Sequence, residues 1–495
     1  MMHGQMFIDG KWVDGNSTFS VTNPSTGEIL GSMPLADNDS INSAVVAARR
    51  ALSAWKERSV SSRAEILNKA VDLLVARYGQ QGEATPLKKL IMTEVGKRLP
   101  EADIEVIETS DMIAFFAKEG PRLLAPTSPT LNQQLWATKS SSVICEPVGV
   151  IAIIKPWNYP LELPIWGIAP ALVAGNTIVF KPSEYSSFVG MEIGRLFEEA
   201  GVPSGVLNIV TGADEVGRTL VHHDDIDMVS FTGGISAGRE IATECGKQLK
   251  KCSLELGGND PAIIEADVDL ELAANGLVWG AFCNSGQVCV RTKRAYVAEG
   301  IAEDLISRIV SKTRALRVTV DFGPIISLEQ LEKIEGQVND AVSKGAKVLV
   351  GGNRIQNSEG YYYSPTVLTN MNASMRLLSE ECFGPVLPII PVRDTNEAVQ
   401  LANKSEYGLG ASVWTRNLDR GQEIAKEIQS GMVWVNDVNV AFPETPWGGI
   451  KRSGIGTELS EWGLYEFVQR KHINVENSTN VRRDWWYPYS ENVVE

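Results

Sequence analysis

The segment NSGQVCVRT, Asn284 to Thr292, sets one cysteine, Cys289, in a small, polar, glycine-bearing turn. A thiol in such a setting can be reached by a ligand and can serve as a nucleophile. Carbonyl chemistry at that thiol also needs an oxyanion donor, a base and a hydride acceptor. The chain offers candidates for the first two close to glycines and strand ends. In PWNYP (Pro156 to Pro160) the Asn158 amide follows a strand end, where it and the Cys289 backbone N–H could hold a tetrahedral oxyanion. In LELGGND (Leu254 to Asp260) Glu255 precedes two glycines, so water or substrate can approach its carboxylate, which could deprotonate water or the thiol.

The hydride acceptor would be a dinucleotide. SFTGGISAGREIA (Ser230 to Ala242) reads as strand, glycine turn and helix, and Gly233 and Gly238 frame a G-x-x-x-x-G turn. Unpaired N–H groups and the helix dipole at such a start attract phosphate. The pattern is neither G-x-G-x-x-G nor a P-loop, and an ordinary strand-to-helix turn has the same look. FKPSE (Phe180 to Glu184) ends the strand of the adjacent unit and sets Lys181 and Glu184 at the ligand-bearing edge of the sheet. A carboxylate there can accept both hydroxyls of an adenosine ribose and would repel a 2′-phosphate, which favours NAD over NADP. The plainer alternative is a solvated lysine and a helix-start glutamate.

The other cysteines are Cys145, Cys245, Cys252, Cys283 and Cys382. None forms a C-x-x-C pair, and with four histidines no zinc spacing exists, so no metal site is expected. Most of these thiols are expected to be buried and inert. Cys283, six residues before Cys289, is either a second reactive thiol or, as the plainer reading, a small residue lining the substrate pocket.

These groups need elements to position them. Residues 40 to 120 carry helical patterns, with Asp39 or Ser40 as the expected N-cap of the first. From residue 143 short apolar runs (GVIAIIKP, NTIVFKPSE, GVLNIVTG, IDMVSFTGG) alternate with helical stretches, and after residue 256 a second block continues the alternation. That texture predicts an α/β fold with parallel, doubly wound sheets whose carboxyl edges hold ligand. A chain of 495 residues suggests two or three domains. The net charge of −15 and the lack of a basic cluster argue against nucleic acid as partner. No apolar run is long enough for a transmembrane helix and the N-terminus has no signal core, so a cytoplasmic protein is expected.

Taken in order, PWNYP, FKPSE, SFTGG-ISAG, LELGGN, NSGQVCVRTKR, EECFGPV and PWGGIKRSGIG make the chain resemble the NAD(P)-dependent aldehyde dehydrogenase superfamily over essentially its whole length. The resemblance implies Cys289 as nucleophile, Glu255 as general base and Asn158 as oxyanion donor. It implies Lys181 and Glu184 on the adenosine ribose, Gly233 and Gly238 near the pyrophosphate, Glu381 and Phe383 at the nicotinamide ribose and ring, and Trp157 beside the cofactor. The Cys289 thiolate would add to an aldehyde, a hydride would pass to NAD (NADP being the other option), and water activated by Glu255 would release the acid. The implied architecture is a Rossmann-like domain of residues 1–121 and 145–255, a catalytic domain of 256–469, and oligomerisation segments 122–144 and 470–495 in a homodimer or homotetramer. Departures are a shortened RALRVTVDFGPII, Gly234 in place of a frequent serine, and Thr457 in place of a frequent arginine.

Tyr159, Glu162 and Trp166 would share one face if a helix began at NYP, and Trp447 would join from the far side of the fold. The aromatic positions match those of betaine aldehyde dehydrogenases, where they box a quaternary ammonium through cation–π attraction of ~0.5–2 kcal/mol. Glu162 would add an opposite charge. A tunnel for aliphatic or aromatic aldehydes is the alternative. Succinate semialdehyde is disfavoured, because no Lys or Arg lies between Asn158 and Gly175. A CoA-acylating relative would lack the base that Glu255 supplies, and a non-catalytic homologue would have lost Cys289 or Glu255.

Overall fold

The computed structural model describes residues 1–356, 359–480, 483 and 485–487. Two large sheets organise it. In the first, five central strands run parallel in the spatial order Lys251–Glu255, Met228–Thr232, Val150–Ile154, Thr177–Lys181, Leu207–Ile209. Short antiparallel strands close its edges: Gly454–Ile455 on one side, Met6–Ile8 and Lys11–Val13 on the other. The central strands are continuous apolar runs because both faces are covered. Ile151 and Ile153 pack with the helices Val60–Tyr78, Leu99–Leu123 and Glu162–Ala174; Val150, Ala152 and Ile154 pack on the opposite face with Asn38–Glu57, Asp214–His222 and Ile235–Gln248.

The chain first moves outward from Val150–Ile154 through Thr177–Lys181 to Leu207–Ile209. It then returns to the other side of the first strand and moves outward through Met228–Thr232 to Lys251–Glu255. Loops after Val150–Ile154 and Met228–Thr232 therefore diverge and leave a crevice at the carboxyl edge. PWNYP and the Gly233–Gly234 turn are those loops.

The second sheet has the order Lys347–Val350, Thr366–Thr369, Val386–Val392, Arg294–Ala298, Pro261–Ile264, Ser412–Trp414, Trp434–Val435, parallel except for the first pair. The turn that carries Cys289 connects the helix Leu270–Phe282 to the strand Arg294–Ala298. Lys139–Pro147 pairs with Val468–Glu476 along its whole length, in an antiparallel two-stranded ribbon. The expected segment 470–495 thus begins inside a strand, and its residues 481, 482, 484 and 488–495 lie outside the described residues.

One local expectation is corrected. The first helix is capped by Asp37, whose carboxylate accepts from the Ser40 N–H at 2.9 Å, so it starts before Asp39 and Ser40.

Candidate active site

Three successive residues before Cys289 adopt left-handed backbone: Asn284 (φ 48°), Ser285 (φ 55°) and Gly286 (φ 72°). Such a run costs roughly 1–2 kcal/mol per non-glycine residue, so the surroundings must hold it. Glu101 accepts the Asn284 N–H at 2.6 Å, and the Ser285 hydroxyl donates to the Gly323 carbonyl at 2.8 Å. A side chain at Gly286 would sit 2.3 Å from the Gly384 carbonyl, so only glycine closes the turn. Asn284 Nδ2 donates to the Asn158 carbonyl at 3.0 Å, and Asn158 Nδ2 donates to the Gln287 carbonyl at 3.0 Å. These two amides stitch PWNYP to the turn that carries Cys289. One Asn158 amide hydrogen is spent there, and the amide has a second to donate.

Cys289 is partly exposed. Burial pushes its thiol up to about 12, with Lys293 acting to lower it and Glu381, Asp260 and Glu255 acting to raise it. Lys293 Nζ donates to the Cys289 carbonyl and pairs with Glu381 Oε1 at 3.0 Å.

Glu255 ends its strand and is 3% exposed, with neither carboxylate oxygen bonded to another protein group. Burial drives its pKa well above the ordinary carboxylate range; Glu458 pushes the same way and Lys155 opposes. Lys155 Nζ donates to Glu458 Oε1 and to Thr232 Oγ1, the latter at 2.8 Å. A carboxyl of raised proton affinity with no protein hydrogen-bond partner has the capacity to bond a water.

Of the dinucleotide candidates, Lys181 lines a cavity at the carboxyl edge of the first sheet. That cavity, of about 570 Å³ between the helices Asp214–His222 and Ile235–Gln248, is walled by Ile154, Val221, Phe231, Ala237 and Ile241, an apolar slot suited to a flat base. Lys181 reaches it, with Nζ held by the Gly212 carbonyl at 2.8 Å and the Pro182 carbonyl at 3.0 Å. Glu184 stands close enough to act on the Lys181 charge. Gly234 caps the helix Ile235–Gln248, and a Cβ there would meet nothing within 4 Å, so the helix start is open. A Cβ on Gly238 would meet the Leu256 side chain at 2.5 Å, so the helix packs closely on that residue. Further along, Trp157 and Phe383 meet edge to face at 5.7 Å, next to Glu381. This slot, open helix start and flanking carboxylates fit an adenine dinucleotide.

A second cavity, about 410 Å³, leads to the thiol. Its lining includes Glu108, Asn158, Tyr159, Glu162, Trp166, Cys289 and Trp447. Trp166 and Trp447 pack edge to face at 5.0 Å, and Trp434 adds a third ring at 6.1 Å from Trp447. The helix starts at Glu162, so Tyr159 lies before it, yet its ring still faces the cavity. Lys97 Nζ sits 3.4 Å from the Tyr159 ring centre, so one face of that ring already carries a protein cation. Glu108 and Glu162 face the same cavity, and each carboxyl acts on the other's proton affinity. Burial raises Glu108 to about 7 and Glu162 well above its ordinary value.

Comparison with known proteins decides the identity. The model of the aldehyde dehydrogenase family matches residues 12–473. The chain belongs to the aldehyde dehydrogenase family. It is 37% identical to the chloroplastic betaine aldehyde dehydrogenase of Amaranthus hypochondriacus, over 97% of this chain and 98% of that one. It is also 37% identical to the peroxisomal aminoaldehyde dehydrogenase 1 of Pisum sativum, over 98% of each chain. A Staphylococcus aureus betaine aldehyde dehydrogenase, solved with NAD⁺ and a BME-modified cysteine, superposes with a TM-score of 0.92 at 32% identity, covering 97% of this chain and 99% of that one.

In this aldehyde dehydrogenase the structure adds residues that the sequence did not single out. Glu108, Lys155, Lys293, Trp434 and Glu458 stand around the site. KPWNYP contains Lys155 in plain view, but its partner Glu458 is 303 positions away, and no periodicity joins them. Glu101, Glu105 and Glu108 share helical spacing in PEADIEVIE, a signal that could have marked one acidic face. Among the described residues no group of three or more His, Cys, Asp or Glu could hold a metal, and all six cysteines are free.

Proposed function

We propose that this aldehyde dehydrogenase oxidises aldehydes carrying an amine or quaternary ammonium group to their carboxylates, with NAD as acceptor. The carrying observation is the Glu108–Glu162 carboxyl pair beside Trp166 and Trp447 in the cavity that ends at Cys289. Two neighbouring carboxyls, one half-buried and one buried, resist carrying two charges until a cation arrives. An ammonium head supplies that cation, and the indole faces attract it by about 0.5–2 kcal/mol. The relatives from Amaranthus hypochondriacus and Pisum sativum, named for betaine aldehyde and for aminoaldehydes, support the same class.

Cys289 attacks the aldehyde carbon, and the new oxyanion is met by the remaining Asn158 N–H and the Cys289 backbone N–H; one such donor is worth about 3 kcal/mol. NAD, when bound, accepts the hydride that leaves the thiohemiacetal carbon. Lys181 and Glu184 would hold its adenosine ribose, Gly233 and Gly238 its pyrophosphate, and Glu381 its other ribose, with Trp157 and Phe383 beside the ring. Glu255 then draws a proton from water, and the hydroxide cleaves the Cys289 thioester. Burial raises the proton affinity of Glu255, Glu458 adds to it and Lys155 opposes it.

The reading includes a cytoplasmic homodimer or homotetramer. The ribbon Lys139–Pro147/Val468–Glu476 leaves the outer edge of Val468–Glu476 without a paired strand among the described residues and exposes Ile473 and Val475, as a subunit contact would require. Sedimentation at the monomer mass alone would remove the assembly.

The test of substrate class is NADH formation with betaine aldehyde, an ω-aminoaldehyde, and neutral aliphatic and aromatic aldehydes, each with NAD and NADP and without CoA. The cationic aldehydes are expected to have the highest kcat/KM. Turnover restricted to neutral aldehydes would overturn the class.

A further inference from the structure

The Lys293 side chain is 1% exposed and its ammonium has two partners of opposite consequence. One is the backbone carbonyl of Cys289. The other is Glu381 Oε1 at 3.0 Å, and that oxygen also accepts the Gly258 N–H at 3.2 Å. Glu381 is the more accessible member of the pair, at 20%. It lies two residues before Phe383, whose ring meets Trp157, and through Lys293 its carboxylate is linked to the Cys289 backbone carbonyl. Its other oxygen crowds Gly257, where a Cβ would sit 2.0 Å away.

We propose that Lys293 is a positioning residue that couples dinucleotide binding to the nucleophile: Glu381 holds its ammonium, and when Glu381 turns to a ribose hydroxyl, Lys293 is left to act on Cys289. The inference rests on the reading of Cys289 as nucleophile and Glu381 as ribose partner.

The electrostatics support it. The groups that act on the thiol are Lys293, which favours the thiolate, and Glu381, Asp260 and Glu255, which oppose it. In the ion pair the carboxylate offsets the ammonium, so the thiol stays protonated. Bonds to ribose hydroxyls draw the carboxylate charge away while the ammonium remains anchored on the Cys289 carbonyl. The net field at sulfur then becomes more positive, and the thiol releases its proton to water. The nucleophile is thereby armed after the hydride acceptor is in place, which prevents a thiohemiacetal that has no acceptor.

The test is the pH dependence of Cys289 alkylation by iodoacetamide, followed by peptide mass spectrometry, with no ligand and with ADP-ribose. ADP-ribose keeps both riboses but lacks the nicotinamide cation. Its binding is followed separately by calorimetry. In the wild type, saturation with ADP-ribose is expected to speed alkylation near neutral pH by about tenfold, the thiolate gain for one pKa unit. Lys293→Met is expected to lose that acceleration, and Lys293→Arg to keep part of it. Glu381→Gln is expected to react at the faster rate without ligand. Three results would overturn the proposal: a wild-type rate unmoved by bound ADP-ribose, an acceleration that survives in Lys293→Met, or a Glu381→Gln thiol as slow as the wild type's. If Lys293→Met does not fold, Lys293→Arg and Glu381→Gln still decide. Normal aldehyde oxidation with no ligand-dependent alkylation sinks only this coupling. Turnover that persists after complete alkylation of Cys289 sinks the underlying reading instead.

Discussion

Lys155 and Glu458 form an ion pair with side-chain exposures of 0% and 2%, and it lies against the carboxyl of Glu255. Glu458 is also tied to the substrate wall, since its backbone exchanges two hydrogen bonds with Trp447 at 2.7 and 2.8 Å. The two partners act on Glu255 with opposite sign: the glutamate raises its proton affinity and the lysine lowers it. Glu458→Gln is therefore expected to move the acid limb of the kcat–pH profile to lower pH, by about one unit. Lys155→Met should move it to higher pH. Limbs that stay in place in both variants would remove this pair from the deacylation step. Thermal unfolding should accompany the kinetics, because the methionine leaves Glu458 unpaired at a cost of about 3–5 kcal/mol.

The assignment of Cys289 and Asn158 has a direct check. Cys289→Ala should abolish NADH formation. Asn158→Ala should retain dinucleotide binding and lose about 10²–10³ in kcat, the usual cost of one oxyanion donor. It also cuts the bond to the Gln287 carbonyl, so a crystal structure of the variant should confirm the turn. Full activity in Cys289→Ala would contradict the mechanism outright.

The Glu108–Glu162 pair gives a pH-dependent specificity. Glu108 titrates near 7 because burial disfavours its charge, while nearby Lys97 pulls the other way. As pH rises through that value the pair gains negative charge, so KM for betaine aldehyde should fall. A neutral aldehyde should show no such trend. Glu162→Gln should raise KM for the cationic substrate about tenfold, equivalent to losing ~1.4 kcal/mol, and leave the neutral substrate within twofold or so of its original value. Equal changes for both substrates would mean that the carboxyls only shape the cavity.

Lys97 links stability to the same wall. Its ammonium pairs with Glu105 Oε2 at 2.6 Å, and both side chains are 0% exposed. Glu105 Oε1 in turn accepts the backbone N–H groups of Leu161 and Glu162 at 2.8 and 3.3 Å. Lys97→Met should cost about 3–5 kcal/mol by leaving the Glu105 charge uncompensated. Denaturant unfolding should register this, and Lys97→Met/Glu105→Gln should recover part of it. A single-variant loss below about 1 kcal/mol would show that the Leu161 and Glu162 N–H groups suffice to hold the charge.

What the sequence by itself determined was local. The runs GVIAIIKP, NTIVFKPSE and IDMVSFTGG had to be strands buried on both faces, and their Pro or Gly endings had to open into loops at one edge. The order of short motifs, each a few residues long, was enough to mark Cys289, Glu255 and Asn158 for chemistry. The tertiary structure decided what no segment contains. It brought Lys155 to Glu458, Lys293 to Glu381, and Glu108 to Glu162. It also laid Lys97 on the Tyr159 ring, a face the sequence had assigned to the substrate. Propensity and hydrophobic period report each residue's near neighbours along the chain. The energy of a buried charge depends on whichever group the fold packs against it, and that group can lie hundreds of residues away.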